Sequence, residues 1–480
     1  MGHFQSNGQQ YNLYPWQQDA ISKWKAENNR GIIQATTGSG KSRVAHSIIV
    51  EWLKKPNSIV SVVVPQIALL NQWAETLDDI LGFSVGRIGG GKLDWNARIN
   101  VMVVNSGLKV LPEKGRLDSH LIIADECHRM AAPTFSRIFD IEHDAALGLS
   151  ATPEREDSGL EILHQLIGDV IYQFGYDDAL QSGVISDFEV CAVQIPLTPF
   201  EKQKHDEAHQ MIVSLSKTLG SRYGNRGNLI ILCQRLLANG TDDSAVGAFL
   251  KAVRERKEVL DTARNRFAAL DLLLHNHKMN KKMVFHESIE DIDKLEKRYS
   301  HFSPLVYHSK RTAKKRREAL ADFTTSKTGL LLSCRALVEG VDIPDADVGI
   351  MVSGTRSVRS RIQTIGRLLR KGGGEQPTIY LFYIPNTSDE KSVSNLLSKG
   401  FPKDKFRFMV YNPSNQAIED KNIDVDALLK KNSWRMKNTQ QPKDCQRCGR
   451  RFKSDVGLKT HHCVPLEEQT WDDFLKGFER

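Results

Sequence analysis

A chain of 480 residues is too long for one ordinary hydrophobic core, and 40% hydrophobic with 26% charged residues is a globular composition without low-complexity tracts. The net charge of +8 permits a polyanionic partner, while no apolar run approaches the ~18–20 residues of a membrane-spanning helix. Seven cysteines, an odd number with no leader pattern, argue against a disulfide framework and for a reducing compartment, so a soluble cytoplasmic protein is expected.

In chain order, strand-like apolar runs at 31–33, 59–64, 99–104, 121–123 and 146–149 alternate with helical stretches. Strands flanked by helices imply βαβ units and a parallel sheet, placed here in a first lobe over 1–195. Residues 196–262 are mostly polar with a helical period and are read as a helical insertion. Strands return at 282–285, 305–307, 329–332, 348–352 and 378–383, giving a second α/β lobe over 263–390. Residues 391–441 read as a linker or docking segment, and 442–480 as a small cysteine-bearing module with a tail. The predicted fold class is α/β, with two tandem parallel-sheet lobes.

Ala35-Thr36-Thr37-Gly38-Ser39-Gly40-Lys41-Ser42 lies between a strand-like run and an amphipathic stretch, the context of a phosphate loop. Gly38 and Gly40 let the backbone turn its N–H groups, with those of Thr37 and Ser39, toward phosphate oxygens. The helix N-terminus adds its positive end. Lys41 is expected to reach the β- and γ-phosphates of ATP, and the Ser42 hydroxyl to sit on Mg²⁺. The first glycine of the usual pattern is Ala35 here. Farther on, the apolar run 121–124 leads into Asp125-Glu126-Cys127-His128. A carboxylate at the C-terminal end of such a strand is where open α/β sheets hold ligands. Asp125 is expected to hold the metal and Glu126 to polarise the attacking water. Gln17, just ahead of the loop's strand, can donate and accept together and so matches an adenine edge.

In this order the blocks resemble a superfamily 2 helicase. Val63-Val64-Pro65-Gln66 through Gln72-Trp73 resembles motif Ia, the Asp-Glu-Cys-His box resembles the DEAD/DEAH type, and Ser150-Ala151-Thr152-Pro153 resembles motif III. Val284 to Ser288 is similar to motif IV, Glu339 to Pro344 to motif V, and Gln363 to Arg370 to motif VI. Within the superfamily the chain is most similar to the XPB branch. Ile88-Gly89-Gly90-Gly91, Arg155-Glu156-Asp157 after motif III and the helical insertion carry that likeness.

The resemblance implies two RecA-like lobes with a thumb-like insertion at 196–262. It casts Arg367 and Arg370 as arginine fingers delivered from the second lobe, with Gln363 sensing the γ-phosphate or its water. Gly340 and Asp342 would touch nucleotide and nucleic-acid backbone, and Ser150 and Thr152 would couple the two sites. The basic residues Lys310, Arg311, Lys314, Lys315, Arg316 and Arg317 suit phosphate contacts, which position without reading sequence.

Cys445-Gln446-Arg447-Cys448 is followed after twelve residues by His461, with Phe452 and Leu458 at finger-core positions. Such a set suits tetrahedral Zn²⁺. Cys463 is the choice for fourth ligand, with His462 as the alternative. The module would contact nucleic acid or dock a protein partner. Together these features predict an ATP-dependent DNA helicase or translocase. The rivals are an RNA helicase, a phage-type branch-migration helicase, or a non-enzymatic, nucleotide-switched nucleic-acid-binding protein.

Overall fold

A computed structural model describes residues 3–6, 9–114, 118–151, 159–224, 228–334, 346–353, 376–398, 401–433, 443–444 and 451–452. The chain divides into two compact units, 1–422 and 423–480. The first unit opens with a hairpin of β1 (His3–Ser6) and β2 (Gln9–Asn12) and then builds two eight-stranded sheets. In the second unit the described elements are a helix, Val425–Ser433, and the antiparallel pair Lys443–Asp444 and Arg451–Phe452.

The first sheet holds β3 (Arg30–Ala35), β4 (Ile59–Val64), β5 (Gly86–Gly89), β6 (Lys92–Asp94), β7 (Ile99–Val103), β8 (His120–Asp125), β9 (Ala145–Ser150) and β10 (Val170–Phe174). Its order is β10-β3-β9-β8-β4-β7-β5-β6, and every pairing is parallel except β5 with β6. Burial on both faces explains the continuous apolar runs: all six residues of β8 and all six of β9 are buried. Ile88 to Gly91, noted in the sequence before the third strand, is the β5–β6 hairpin. Gly90 and Gly91 occupy its two-residue turn at φ of 61° and 86°, a conformation that needs glycine.

The second sheet holds β11 (Glu189–Gln194), β12 (Lys281–His286), β13 (Leu305–Tyr307), β14 (Gly329–Cys334), β15 (Val348–Met351), β16 (Thr378–Tyr383), β17 (Phe406–Asn412) and β18 (Ala417–Asp420). Their order is β13-β14-β12-β15-β16-β11-β17-β18, parallel except for β17 with β18. Both lobes thus have the tandem RecA-like layout expected.

Two boundaries move. Residues 189–194 were assigned to the first lobe, yet β11 pairs in register with β16 and β17 of the second sheet. The segment 391–441 is not a linker up to residue 420. It supplies part of the helix Ser388–Ser398, then β17 and β18 at the sheet's edge. β17 is paired on both sides, yet Phe408 and Tyr411 are its only buried positions and Arg407 is exposed, so it lacks the unbroken burial of the central strands.

Because β11 precedes it, the helical insertion lies within the second lobe rather than between lobes. Helices Pro199–Tyr223, Leu229–Ala238 and Ser244–Asp261 close around a small core of Leu219, Cys233, Val246 and Phe249. The first helix starts on a capping box: Glu201 N–H donates to Thr198 Oγ1 at 3.3 Å, and Thr198 N–H donates back to the Glu201 carboxylate at 2.9 Å. Between lobes, Tyr176 packs on Phe401 with centroids 4.4 Å apart, and Phe188 completes the cluster.

Candidate functional site

The parallel sheet order brings the first-lobe motifs together. β3 and β8 flank β9, so the segments leaving their C-terminal ends emerge side by side. The loop after β3 passes through Gly38 at φ 85° and Gly40 at φ 83°, both in the left-handed region. Helix Lys41–Trp52 follows with no side-chain cap on its first turn, leaving N–H donors of the kind that hold anions. Ser39 Oγ donates to Thr36 carbonyl at 2.6 Å, which tightens the loop from within.

Lys41 Nζ lies 3.4 Å from Glu126 Oε1, and both side chains are mostly buried. Glu126 adopts φ 50° and ψ 47°, a strained setting for a residue with a Cβ, directly after β8. Its backbone N–H donates to Asp125 Oδ1 at 3.0 Å. The other carboxylate oxygen, Asp125 Oδ2, accepts the indole N–H of Trp73 at 2.8 Å. Burial first, and the charge of Glu126 second, push the Asp125 carboxyl above its ordinary range; Lys41 and the two N–H donors oppose this. A buried carboxylate of this kind gains from a dication, whose charge would favour its ionised form. Asp125 and the Ser42 hydroxyl are hard oxygen donors of the kind that would hold Mg²⁺, which would supply positive charge beside the phosphates.

His128 joins the third element. Its Nδ1 lies 3.4 Å from Glu126 Oε2 and 3.2 Å from the Ser150 hydroxyl at the end of β9. Ser150 and His128 are both buried, so His128 links the end of β9 to Glu126.

Gln17 differs from its expected part. It is fully buried, its carbonyl accepts from Tyr14 N–H at 2.9 Å, and its amide nitrogen donates to Gly40 carbonyl at 3.0 Å. The carboxamide therefore ties the helix Pro15–Ala26 to the phosphate loop instead of presenting an edge to a base. A glutamine near a helix start carries no sequence mark that separates these roles.

Thr152, Gly340, Asp342, Gln363, Arg367 and Arg370 lie outside the described residues, as do Cys445, Cys448, His461 and Cys463. Among the described residues no three or more His, Cys, Asp or Glu side chains converge on a metal position. The described cysteines Cys127, Cys191, Cys233 and Cys334 are all buried. In the basic stretch Arg311 is committed internally, 2.6 Å from Glu296 and 3.4 Å from Asp293, and Thr312 caps the helix Ala313–Thr325. Lys310, Lys314, Lys315 and Arg317 remain exposed.

Three further residues shape the site, of which the sequence marked only Trp73, as the end of the motif Ia likeness. Trp73 holds Asp125, His46 packs edge-on against Trp73 at 4.9 Å, and Tyr176 Oη lies 3.5 Å from Thr37 Oγ1. His46 and Tyr176 read in sequence as ordinary core residues of amphipathic helices.

Residues 10–155 match the family described as Type III restriction enzyme, res subunit, and residues 265–372 match the helicase conserved C-terminal domain. The chain has a superfamily 2 helicase core. That makes it an ATP-hydrolysing, nucleic-acid-dependent enzyme, with one matched segment per lobe. It is 28% identical over 360 residues to the DNA 3'-5' translocase XPB2 of Sulfurisphaera tokodaii, covering 75% of this chain and 79% of that one. It is 24% identical over 358 residues to the DNA 3'-5' helicase XPB of Mycobacterium tuberculosis, covering 72% of this chain but only 56% of the other. Among solved structures the Pyrococcus furiosus Hef helicase domain superposes with TM-score 0.53 at 16% identity, over 80% of this chain and 98% of that one. The DNA-bound Type ISP restriction-modification enzyme LlaBIII gives TM-score 0.58 at 15% identity, over 89% of this chain and 32% of that one. These superpositions establish the helicase fold of the two lobes. No described helix is long and apolar enough to cross a membrane.

Proposed function

We propose that the chain is an ATP-driven DNA helicase or translocase of the XPB branch, with Asp125-Glu126-Cys127-His128 as its DEAD/DEAH-type box. The observation that carries this reading is the meeting of Lys41, Asp125 and Glu126 at the C-terminal ends of β3 and β8, the strands that flank β9. In this reading Lys41 and the loop Thr37 to Ser42 hold the phosphates. Asp125 and Ser42 hold Mg²⁺, and Glu126 takes a proton from the attacking water. Arg367 and Arg370 would neutralise charge developing on the γ-phosphoryl group, aided by Gln363, Gly340 and Asp342. Supplying those groups from the second lobe makes hydrolysis depend on closure, and closing and reopening then moves the lobes along DNA. Ser150, through His128, and Thr152 would carry the coupling.

The C-terminal module is proposed to bind Zn²⁺ through Cys445, Cys448, His461 and Cys463, and to contact DNA or a protein partner. Zinc released by a chelator from purified full-length chain, at one ion per chain, tests it; zinc-free protein would count against it.

The deciding experiment is the ATPase rate with single-stranded DNA, duplex DNA and RNA, beside Glu126→Gln. Stimulation by DNA is expected. Stimulation by RNA alone would select an RNA helicase, and a rate indifferent to every nucleic acid would leave only a nucleotide-switched binder.

A further inference from the structure

Three tryptophans of the first lobe, Trp24, Trp52 and Trp73, bury their rings and satisfy their indole N–H groups, the usual arrangement for a buried tryptophan. Two of them do so on backbone carbonyls: Trp24 donates to Ala146 at 3.0 Å and Trp52 to Ser119 at 2.7 Å. These bonds need nothing beyond a nearby strand or loop, and they serve packing. Trp73 is different. Its indole N–H donates to a side-chain carboxylate, Asp125 Oδ2, at 2.8 Å, reaching across 52 residues of sequence. The carboxylate so engaged is the one read above as the metal ligand.

Trp73 itself is held on both sides. It projects from the helix Ile67–Leu81 with Leu70, Ala74 and Leu77 buried beside it. Its other neighbour is His46, whose ring meets the indole edge-on at 4.9 Å and 79°. His46 lies on the helix that begins at Lys41. The indole is thus wedged between the phosphate-loop helix and the end of β8. Asp125 Oδ1 is fixed by the Glu126 N–H and Oδ2 by Trp73, one donor per oxygen, so the carboxylate plane is set from two directions. A carboxylate has about four lone-pair sites, which leaves room on each oxygen for a metal or its water.

We propose that Trp73 is a positioning residue for the Mg²⁺ ligand Asp125, fixing the carboxylate through its indole N–H. The helix Ile67–Leu81 thereby becomes part of the metal site's support, and a displacement of that helix by nucleic acid is transmitted to Asp125. Partners of metal ligands at one remove change metal affinity or activity by about 10–100-fold when removed, far more than a packing residue does. The proposal rests on the reading of Asp125 as metal ligand, and the test separates the two.

Trp73→Phe keeps the ring and removes the donor, whereas Trp73→His keeps a ring N–H. Trp24→Phe and Trp52→Phe serve as packing controls. The readouts on the full chain are Mn²⁺ binding to the ADP-bound protein by electron paramagnetic resonance, the Mg²⁺ dependence of ATPase, and ADP affinity without metal. The expected result is about a tenfold weakening of Mn²⁺ binding in Trp73→Phe, partial recovery in Trp73→His, unchanged metal-free ADP affinity and no metal effect in the controls. Equal Mn²⁺ binding in wild type and Trp73→Phe, or equal losses in the Phe and His variants, would overturn the proposal. Should Trp73→Phe not fold, Trp73→Leu takes its place as the donor-less variant: Mn²⁺ binding weaker in Trp73→Leu than in Trp73→His supports the proposal, and equal binding in the two overturns it. Asp125→Asn must itself weaken Mn²⁺ binding. If it does not, the metal-ligand reading fails rather than the role of Trp73.

Discussion

Lys41 Nζ and Glu126 Oε1, 85 positions apart in sequence, form a 3.4 Å ion pair that joins the phosphate loop to the end of β8. Lys41→Ala is expected to abolish measurable ATP binding, because its charge is the loop's own cation for the phosphates. Glu126→Gln should retain binding while turnover falls roughly 10²- to 10⁴-fold, the range for loss of a general base. Equilibrium binding of a fluorescent ATP analogue beside steady-state ATPase checks both. Glu126→Gln turning over at the wild-type rate would remove Glu126 from the chemistry.

Gln17 ties Tyr14 N–H to the Gly40 carbonyl, and a Cβ placed on Gly40 would stand 3.0 Å from the Gln17 amide nitrogen. Gln17→Ala should therefore loosen the loop for any triphosphate, weakening ATP and GTP binding alike by about 1–3 kcal/mol, the cost of unsatisfied buried groups. Competition binding with the two nucleotides reads the outcome. Loss confined to ATP would return Gln17 to an adenine contact.

Burial lowers the imidazoles of His46 and His120 from 6.5 to about 4. The folded state therefore holds both neutral where the unfolded chain would already take up protons. Their contribution to stability is complete above pH 6.5 and is lost as the pH falls from there toward 4, at up to about 1.4 kcal/mol per pH unit for each histidine. Urea midpoints at pH 7.5, 6 and 5 should fall in that order, and His120→Asn should flatten the slope. A midpoint constant from pH 7.5 to 5 would refute the assignment.

Arg266 is fully buried, donating to the carbonyls of Leu260 and Val352 and to the carboxylate of Asp389. It pins the exit of the helical insertion, the end of β15 and the helix Ser388–Ser398 to one point. Asp389→Ala strands the guanidinium and should cost about 3–5 kcal/mol, whereas the double change Arg266→Met with Asp389→Leu should recover most of it. Chemical denaturation of the three proteins decides this. A double variant no more stable than Asp389→Ala would show that the carbonyl contacts dominate.

The sequence by itself determined the elements whose patterning is local. Ten strands of the two lobes could be read as apolar runs because parallel strands covered on both faces are apolar at every position. The phosphate loop and the Asp125-Glu126 pair were legible for a related reason: left-handed turns require glycine, and a carboxylate after an apolar strand has few structural uses. What only the tertiary structure decided depends on pairing over long separations. Residues 189–194 fall within the first lobe in sequence until the register of β11 with β16 and β17 places them in the second. β17 reads as linker because Arg407 and Asn412 break its apolar pattern and only Phe408 and Tyr411 are buried. Gln17 turned inward to Gly40, and Trp73 became the support of Asp125, through contacts spanning 23 and 52 residues. No local pattern encodes such contacts, since an indole bonding a carbonyl and one bonding a carboxylate look alike until the chain has folded.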